Sequence, residues 1–485
     1  MAEDLENLLT LSDVCKCLRI SRETAYRWLK NGRLRGVKVG RGWRFATAQV
    51  QTIAEQSPPY GLKPMLMADL FSGAGGLSLG FSMEGSQSVF FNDIDAECAF
   101  TFQRNFPDAK PLVAPIQEIS ASDVFESTGI GPEDLDVLVG GPPCQGFSIN
   151  APSRSTADER NHLFRHYARL VLEGIRPKFI VFENVPGLVS FNGGKTLADV
   201  CSEFRRAGYE PFFRILNACH YGVPQERWRL VIVANRIGAH FDFPEPTHYS
   251  LSRPNFTGGR ALTYSYAARR SQAKSLFDEA IGLQDPITIK DAISDLPRIQ
   301  SGGGSEIAEY GKPCGSDYQR WARDGSARLS NHHCVDLSDI NQLRMQHVRP
   351  GGSWRDIPRE LLPEGMKRAR RSDHTRRYGR LHPDGIAFTV MTKCDPHWGT
   401  VVHYSQDRVI SVREAARFQS FPDSFVFWGS KGSQYRQVGN AVPPLLAKAI
   451  ADKIRYYLEL PAAAGFPEHK KAWSFSNAAS GALRI

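Results

Sequence analysis

The chain of 485 residues lacks a Cys-x-x-Cys pair, a long apolar run and a basic leader, and each absence removes a class of protein. Its nine cysteines, an odd number, are scattered at positions 15, 17, 98, 144, 201, 219, 314, 334 and 394. That distribution argues against a disulfide framework and against a zinc knuckle. Cys394 and His397 have a ligand-like spacing but no second pair, so they read as loop residues and no metal is expected. No stretch approaches the ~18 apolar residues of a membrane span. The start, MAEDLENLL, is acidic where a secretory signal is basic. The expectation is a cytoplasmic protein with free thiols and no membrane partner.

What is present is positive charge, +9 in total and unevenly placed. From residue 16 to 44 there are ten Lys or Arg against Glu23, and from 367 to 380 seven against Asp373. A charge run is usually a solvated face, but two separate basic clusters favour a polyanionic partner.

Residues 1–56 read as a self-contained unit. Thr10 with Asp13 resembles a capping box, and Leu11, Val14 and Leu18 give one apolar stripe. Ser21 can cap a second helix over 22–31, which Gly32 stops, and VKV-GRG-WRF reads as a hairpin with Arg41 at its tip. This stretch resembles the winged helix-turn-helix of excisionase-like and MerR-like regulators. The resemblance implies that Arg22, Arg27, Lys30 and Arg41 face DNA, while Trp28, in register with Ala25, reads as core. A basic helical cap that binds no DNA is the alternative.

A polar, proline-containing linker ends at residue 64. Beyond it, apolar runs such as MLMADLF, LDVLVGG, KFIVFEN and WRLVIVAN alternate with helical patterns. Such alternation predicts a largely parallel sheet wrapped by helices, with its sites at the carboxyl ends of the strands. Strand signals fade between residues 251 and 378, which read as a separate irregular lobe, and structured sequence returns over 379–460 before a tail at 461–485.

The segment GGPPCQGFS follows an apolar run with residues that end both helix and strand, and displays Cys144 on a stiffened loop. A thiol held that way reads as a nucleophile rather than as a buried apolar residue. In DLFSGAGGLSLGF, Gly73, Gly75 and Gly76 allow close backbone approach to a ligand, and Asp93 stands some twenty residues on, where a carboxylate commonly holds a ribose. Together they suggest an adenosine-containing cofactor. GGKT at 193–196 is not a P-loop, since Val189 stands where that motif needs glycine. Glu183 ends another apolar run, and Arg227 and Arg229 lie two apart on one face of an extended segment.

These blocks, with REAARFQSFPDSF and QVGNAVPP, resemble in order and spacing the signature blocks of DNA (cytosine-5) methyltransferases. The resemblance implies an α/β, Rossmann-like fold dependent on S-adenosylmethionine. It implies catalytic domain parts at 65–250 and 379–460, and a target-recognition lobe at 251–378. It further implies Cys144 as nucleophile at C6 of a flipped-out cytosine and Glu183, which must then be buried, as donor to the base. Arg229 is expected at the base O2 and Arg227 beside the thiolate. The cofactor positions would be Asp69, Phe71, Gly73, Gly75, Gly76, Asp93, Asn440 and Val442, with Gln225 among the DNA contacts. Pro115 stands where relatives often carry an aspartate for the adenine amine. The run INAPSRSTADERN, after the cysteine, would be a loop that closes over DNA. The expected partner is duplex DNA in the nucleoid, bound by a monomer or by a dimer formed through the N-terminal unit. The alternatives are an RNA cytosine-5 methyltransferase and a regulator built on a methyltransferase scaffold.

Overall fold

A computed structural model of the chain describes residues 8–18, 25–26, 28–29, 34–39, 42–47, 49–50, 64–143, 163–250, 254, 256, 258–264 and 282–460. Cys144, the run that follows it, and Arg22, Arg27, Lys30 and Arg41 lie outside the described residues. No helix among the described residues is long and apolar enough to cross a membrane.

In the N-terminal unit the cap at Thr10 is reciprocal. The Thr10 amide donates to Asp13 Oδ2 at 2.9 Å, the Asp13 amide donates to Thr10 Oγ1 at 3.2 Å, and helix Leu11–Leu18 follows. The hairpin is formed by β2 (Val37–Val39) and β3 (Gly42–Ala46). A strand the sequence does not announce, β1 (Leu8–Thr10), pairs with the other side of β3. Leu11, Val14, Ala25, Trp28, Leu34, Phe45 and Val50 make the core, so Trp28 packs inward as its register suggests.

The body is built on a sheet of seven strands: β4 (Met65–Leu70), β5 (Ser86–Asn92), β6 (Lys110–Leu112), β7 (Val137–Gly140), β8 (Phe179–Asn184), β9 (Glu210–Asn217) and β10 (Trp228–Asn235). Their order is β6-β5-β4-β7-β8-β10-β9, with helices packed against the sheet, a Rossmann-like α/β fold. The central pairs are parallel, but β10 runs antiparallel to both β8 and β9. The reason is the connection. Residues 218–227 hold only a short 3-10 turn, Ala218–Tyr221, and lack the crossover helix that a parallel return needs.

Register fixes what meets at the strand ends. Leu70 pairs with Gly140 and Gly140 with Phe182, so the residues after β4 and β7 and the end of β8 form one row. Val231 pairs with Glu183, which brings Arg229 up beside β8 from the antiparallel strand.

The region between 251 and 378 stands less apart than its polar composition suggests. Ile289, Ala292, Ile293, Leu296, Tyr318 and Leu329 share one apolar core with Ala415, Phe418, Phe421, Tyr435 and Val438 of the returning segment. Arg417 cements that joint. It donates to Asp295 Oδ1 and Asp423 Oδ2 at 2.6 Å each, and to the Ala292 carbonyl at 2.9 Å, with all three side chains fully buried. Four apolar positions over a short helix and its flank are too few for periodicity to reveal against a Ser-, Gly- and Arg-rich background.

Candidate active site

A cavity of about 610 Å³ opens at the carboxyl ends of β4, β5, β7 and β8. That volume lies in the range of small-molecule sites. Its wall contains Asp69, Phe71, Gly73 and Gly76 after β4, Asp93 after β5, residues 141–143 after β7, Glu183, Arg227 and Arg229, and Asn440 and Val442 from the returning segment. Twelve described positions were expected in the site or at its edge; the structure brings all but Gly75 and Gln225 onto this one surface.

The turn after β4 is shaped by its glycines. Gly75 has φ +96°, and a Cβ there would stand 2.8 Å from the Phe102 ring, so it serves packing behind the wall. At Gly76 a Cβ would come within 2.3 Å of the Val442 carbonyl oxygen, and at Gly80 within 2.3 Å of the Pro444 carbonyl oxygen. Helix Gly76–Ser82 therefore lies directly on the chain at 442–444. Phe71 takes a positive φ of 55°, unusual for an aromatic residue, at the cavity wall.

Two carboxylates face this turn. Asp93 accepts from the Gly73 amide at 2.7 Å and the Asp95 amide at 2.8 Å. Burial raises its acid from the ordinary value, and the two amide bonds oppose that. Asp69, 1% exposed, accepts from the Ser78 hydroxyl at 2.7 Å through Oδ2, while Oδ1 has no hydrogen-bond partner. Burial pushes its acid up to about 7, with Ser78 working against that and Asp93 adding to it.

Glu183 pairs with Arg229, Nε to Oε1 at 2.7 Å, each side chain 13% exposed, so Glu183 is largely but not fully buried. Gly141 sits under the carboxylate, since a Cβ there would be 3.0 Å from Glu183 Oε2. Asn184, a residue the motif contains but sequence reasoning passed over, donates from Nδ2 to the Pro142 carbonyl at 3.3 Å and braces the turn that leads to Cys144. Arg227 donates to the carbonyls of Val390 at 3.3 Å and Gly439 at 2.8 Å, tying the cavity to the returning segment. Across the mouth, Arg436 pairs with Asp95 at 2.8 Å, another link absent from the sequence reading. Cys98 also lines the cavity, but burial raises its thiol far above the ordinary value, which makes it a poor nucleophile.

Gln225 needs correction as a DNA contact. It is fully buried, its Nε2 donates to the Phe418 carbonyl at 3.1 Å and to Gln419 Oε1 at 2.8 Å, and its Oε1 accepts from the Val390 amide at 2.8 Å. Its amide is consumed inside the protein. Pro115 lines the cavity together with Ile116 and Gln117, so the wall carries no carboxylate at that position. Among the described residues no group of three or more His, Cys, Asp or Glu could hold a metal ion.

A model of the C-5 cytosine-specific DNA methylase family matches residues 65–456, and a helix-turn-helix domain model matches residues 8–57. The chain belongs to the C-5 cytosine-specific DNA methylases and is an enzyme of that class. It is 34% identical over 439 residues to the Type II methyltransferase M.AgeI of Thalassovita gelatinovora, covering 81% of this chain and 99% of that one. It is 35% identical over 388 residues to the Type II methyltransferase M1.HphI of Haemophilus parahaemolyticus, covering 80% and 85%. A crystal structure assigned, by its own description, to a DNA modification methyltransferase encoded within an E. coli prophage superposes with a TM-score of 0.58 at 26% identity, covering 81% and 99%.

Proposed function

We propose that this enzyme methylates C5 of a flipped-out cytosine in a specific duplex DNA sequence, using S-adenosylmethionine, in a restriction-modification or solitary prokaryotic or phage setting. The observation that carries the reading is the shared cavity: the proline turn leading into Cys144, the Glu183–Arg229 pair and the two aspartates by the glycine turn all line it. The residues suit an adenosine-containing cation. The glycine turn admits a ligand to the backbone, Asp93 can accept from ribose hydroxyls, and Asp69 Oδ1 is a buried acceptor without a donor. S-adenosylmethionine, when bound, supplies an electrophilic methyl group on its sulfonium.

The chain supplies the rest. C5 of cytosine is a poor nucleophile, so the Cys144 thiolate adds to C6 and makes C5 electron-rich. Charge that develops on the ring is met by Glu183 as donor at N3 and the exocyclic amine, with Arg229 at O2 and holding Glu183 in place. Arg227 keeps the returning segment against the cavity. After C5 carries the methyl group, the C5 proton is lost and Cys144 is eliminated, which restores the aromatic ring and the free thiol. A stacked base cannot be reached in this way, so the cytosine is turned out of the duplex. The N-terminal unit, over residues 1–56, adds DNA binding through Arg22, Arg27, Lys30 and Arg41, for tethering or for control of its own expression.

Transfer of labelled methyl groups to duplex DNA and to transfer RNA tests the reading, with bisulfite sequencing to locate the mark. Incorporation into duplex DNA at C5 of one sequence context is expected. Transfer to RNA alone would make the RNA enzyme the correct reading, and no transfer to either would favour the scaffold.

Asp93→Ala removes charged hydrogen bonds worth ~1.5–3 kcal/mol. Cofactor affinity is therefore expected to fall about ten-fold or more. Calorimetry showing unchanged affinity would remove Asp93 from the cofactor site.

A further inference from the structure

Trp398 is the most exposed aromatic side chain among the described residues, at 59%, and it is held in place rather than left free. The Arg377 guanidinium lies over its ring at 4.9 Å, and the His397 ring meets it edge-on at 5.0 Å. His397 is fixed in turn: its amide donates to Asp395 Oδ1 at 2.8 Å, and its Nδ1 lies 3.3 Å from the Tyr378 hydroxyl. The Trp398 amide closes the turn on the Asp395 carbonyl at 3.1 Å.

The run that supplies Arg377 is stitched to this turn. The Tyr378 amide donates to the Pro396 carbonyl at 2.6 Å, and the Gly379 amide to the Gly399 carbonyl at 3.2 Å. His374 and Tyr378 take positive φ of 49° and 51°, a strain that persists only where the surroundings enforce the conformation. Arg368, Arg370, Arg371 and Arg376 of the run are exposed, and none forms an ion pair among the described residues. Asp373, the carboxylate within it, is spent on the Arg370 amide at 3.1 Å and the Ser372 hydroxyl at 3.2 Å.

The other end of the Trp398 segment is anchored at the cavity. Ala387 exchanges backbone bonds with Pro224 and Glu226, and the Val390 carbonyl accepts from Arg227 on the cavity wall at 3.3 Å. The chain from Val390 to Trp398 spans at most ~28 Å when extended. That is roughly eight base-pair steps of a duplex.

We propose that Trp398 is a specificity-determining residue that lays its open side against the edge of a base pair flanking the target cytosine, while the exposed arginines of the 368–376 run hold phosphates. A rigid apolar ring beside unpaired guanidinium groups matches a groove edge between phosphates, where phosphate contacts position the protein and base contacts specify the sequence. The inference rests on the duplex-DNA reading given above. It carries part of the sequence choice past residue 378, the expected end of the recognition lobe, into the returning segment.

The test is methylation, by the full-length enzyme, of a pool of duplexes randomised around a cytosine and read by bisulfite sequencing, with binding of the preferred duplex followed against salt. Trp398→Ala is expected to lose about ten-fold in affinity for the preferred duplex and to accept further bases at one or two positions within roughly eight of the target. Its salt slope should stay that of wild type. Trp398→Phe, which keeps an apolar ring, should keep the preference. Arg370→Ala should weaken all duplexes alike and lower the salt slope by about one, with the context unchanged. If Trp398→Ala transfers no methyl group, selection of bound duplexes from the same pool gives the preference in its place. An unchanged context in Trp398→Ala overturns the inference and leaves the enzyme reading standing, whether affinity falls equally for every duplex or stays the same; the latter result would give the ring to a protein partner. A wild-type enzyme that marks no duplex overturns both.

Discussion

Cys144→Ala is expected to abolish methyl transfer while leaving S-adenosylmethionine affinity unchanged. Binding and chemistry separate because they use different walls of the cavity. The aspartates and the glycine turn after β4 and β5 do not depend on the thiol, whereas Pro143, the residue before it, lines the side of the cavity held by Glu183 and Arg229. The turn is fixed from below by Asn184 at the Pro142 carbonyl and by the close approach of Gly141 to Glu183, neither of which involves the sulfur. DNA carrying 5-fluorocytosine gives the sharper readout. Fluorine at C5 cannot leave as a proton does, so the C6–sulfur bond persists, and a DNA–protein adduct that resists denaturant should accumulate with the wild-type enzyme. An adduct of equal yield in Cys144→Ala would assign the nucleophile elsewhere.

The second large effect concerns stability. Arg417→Met removes the one guanidinium that neutralises Asp295 and Asp423 together, both with fully buried side chains. Arg323 still reaches Asp295 at 2.6 Å, while Asp423 keeps the Tyr310 hydroxyl at 2.7 Å and the Arg413 guanidinium at 3.8 Å. Breaking a buried pair by deleting one partner costs about 3–5 kcal/mol when the other charge is left uncompensated, and the remaining cations beside these two aspartates make that an upper bound here. Burial alone would raise the Asp423 acid, but hydrogen bonds and charge from Arg417 hold it below its ordinary value. A depressed folded value means that this stabilisation is present above the ordinary carboxylate range and is lost as pH falls through the folded value. The variant should therefore unfold at lower urea than wild type at neutral pH, and the difference should shrink in acid. Arg320→Ala, at an exposed pair with Asp317, should leave the midpoint where it is. Equal midpoints for Arg417→Met and wild type would show that the network contributes nothing.

The two predictions differ in how readily the sequence reveals their residues. The proline turn before Cys144, Glu183 at its strand end and the glycines of the β4 turn are legible because each role imposes a local chain geometry, and that geometry restricts residue type. Arg417 carries no such signature. Its partners lie 122 residues back and 6 residues on, and only the folded chain brings them together. Gln225 was misread for a related reason: an amide looks like surface chemistry until both of its ends are seen to be satisfied internally, by Gln419 and Val390. The reversed direction of β10 escaped notice because alternating apolar runs record that strands exist, not which way they run. The strand β1, three residues long, is set by its partner β3 rather than by its own pattern.

The pairing of Arg436 with Asp95 joins positions 341 residues apart, and the same late segment supplies Asn440 and Val442 to the cavity wall. Chains emerge from the ribosome at ~5–20 residues per second, so roughly 20–70 s separate the synthesis of the two sides. The seven strands are complete once residue 235 has been made, yet the segment that supplies Arg436, Asn440 and Val442 is still some two hundred residues away. On the function proposed above, a nascent chain is thereby kept from marking DNA until the last helices have been made.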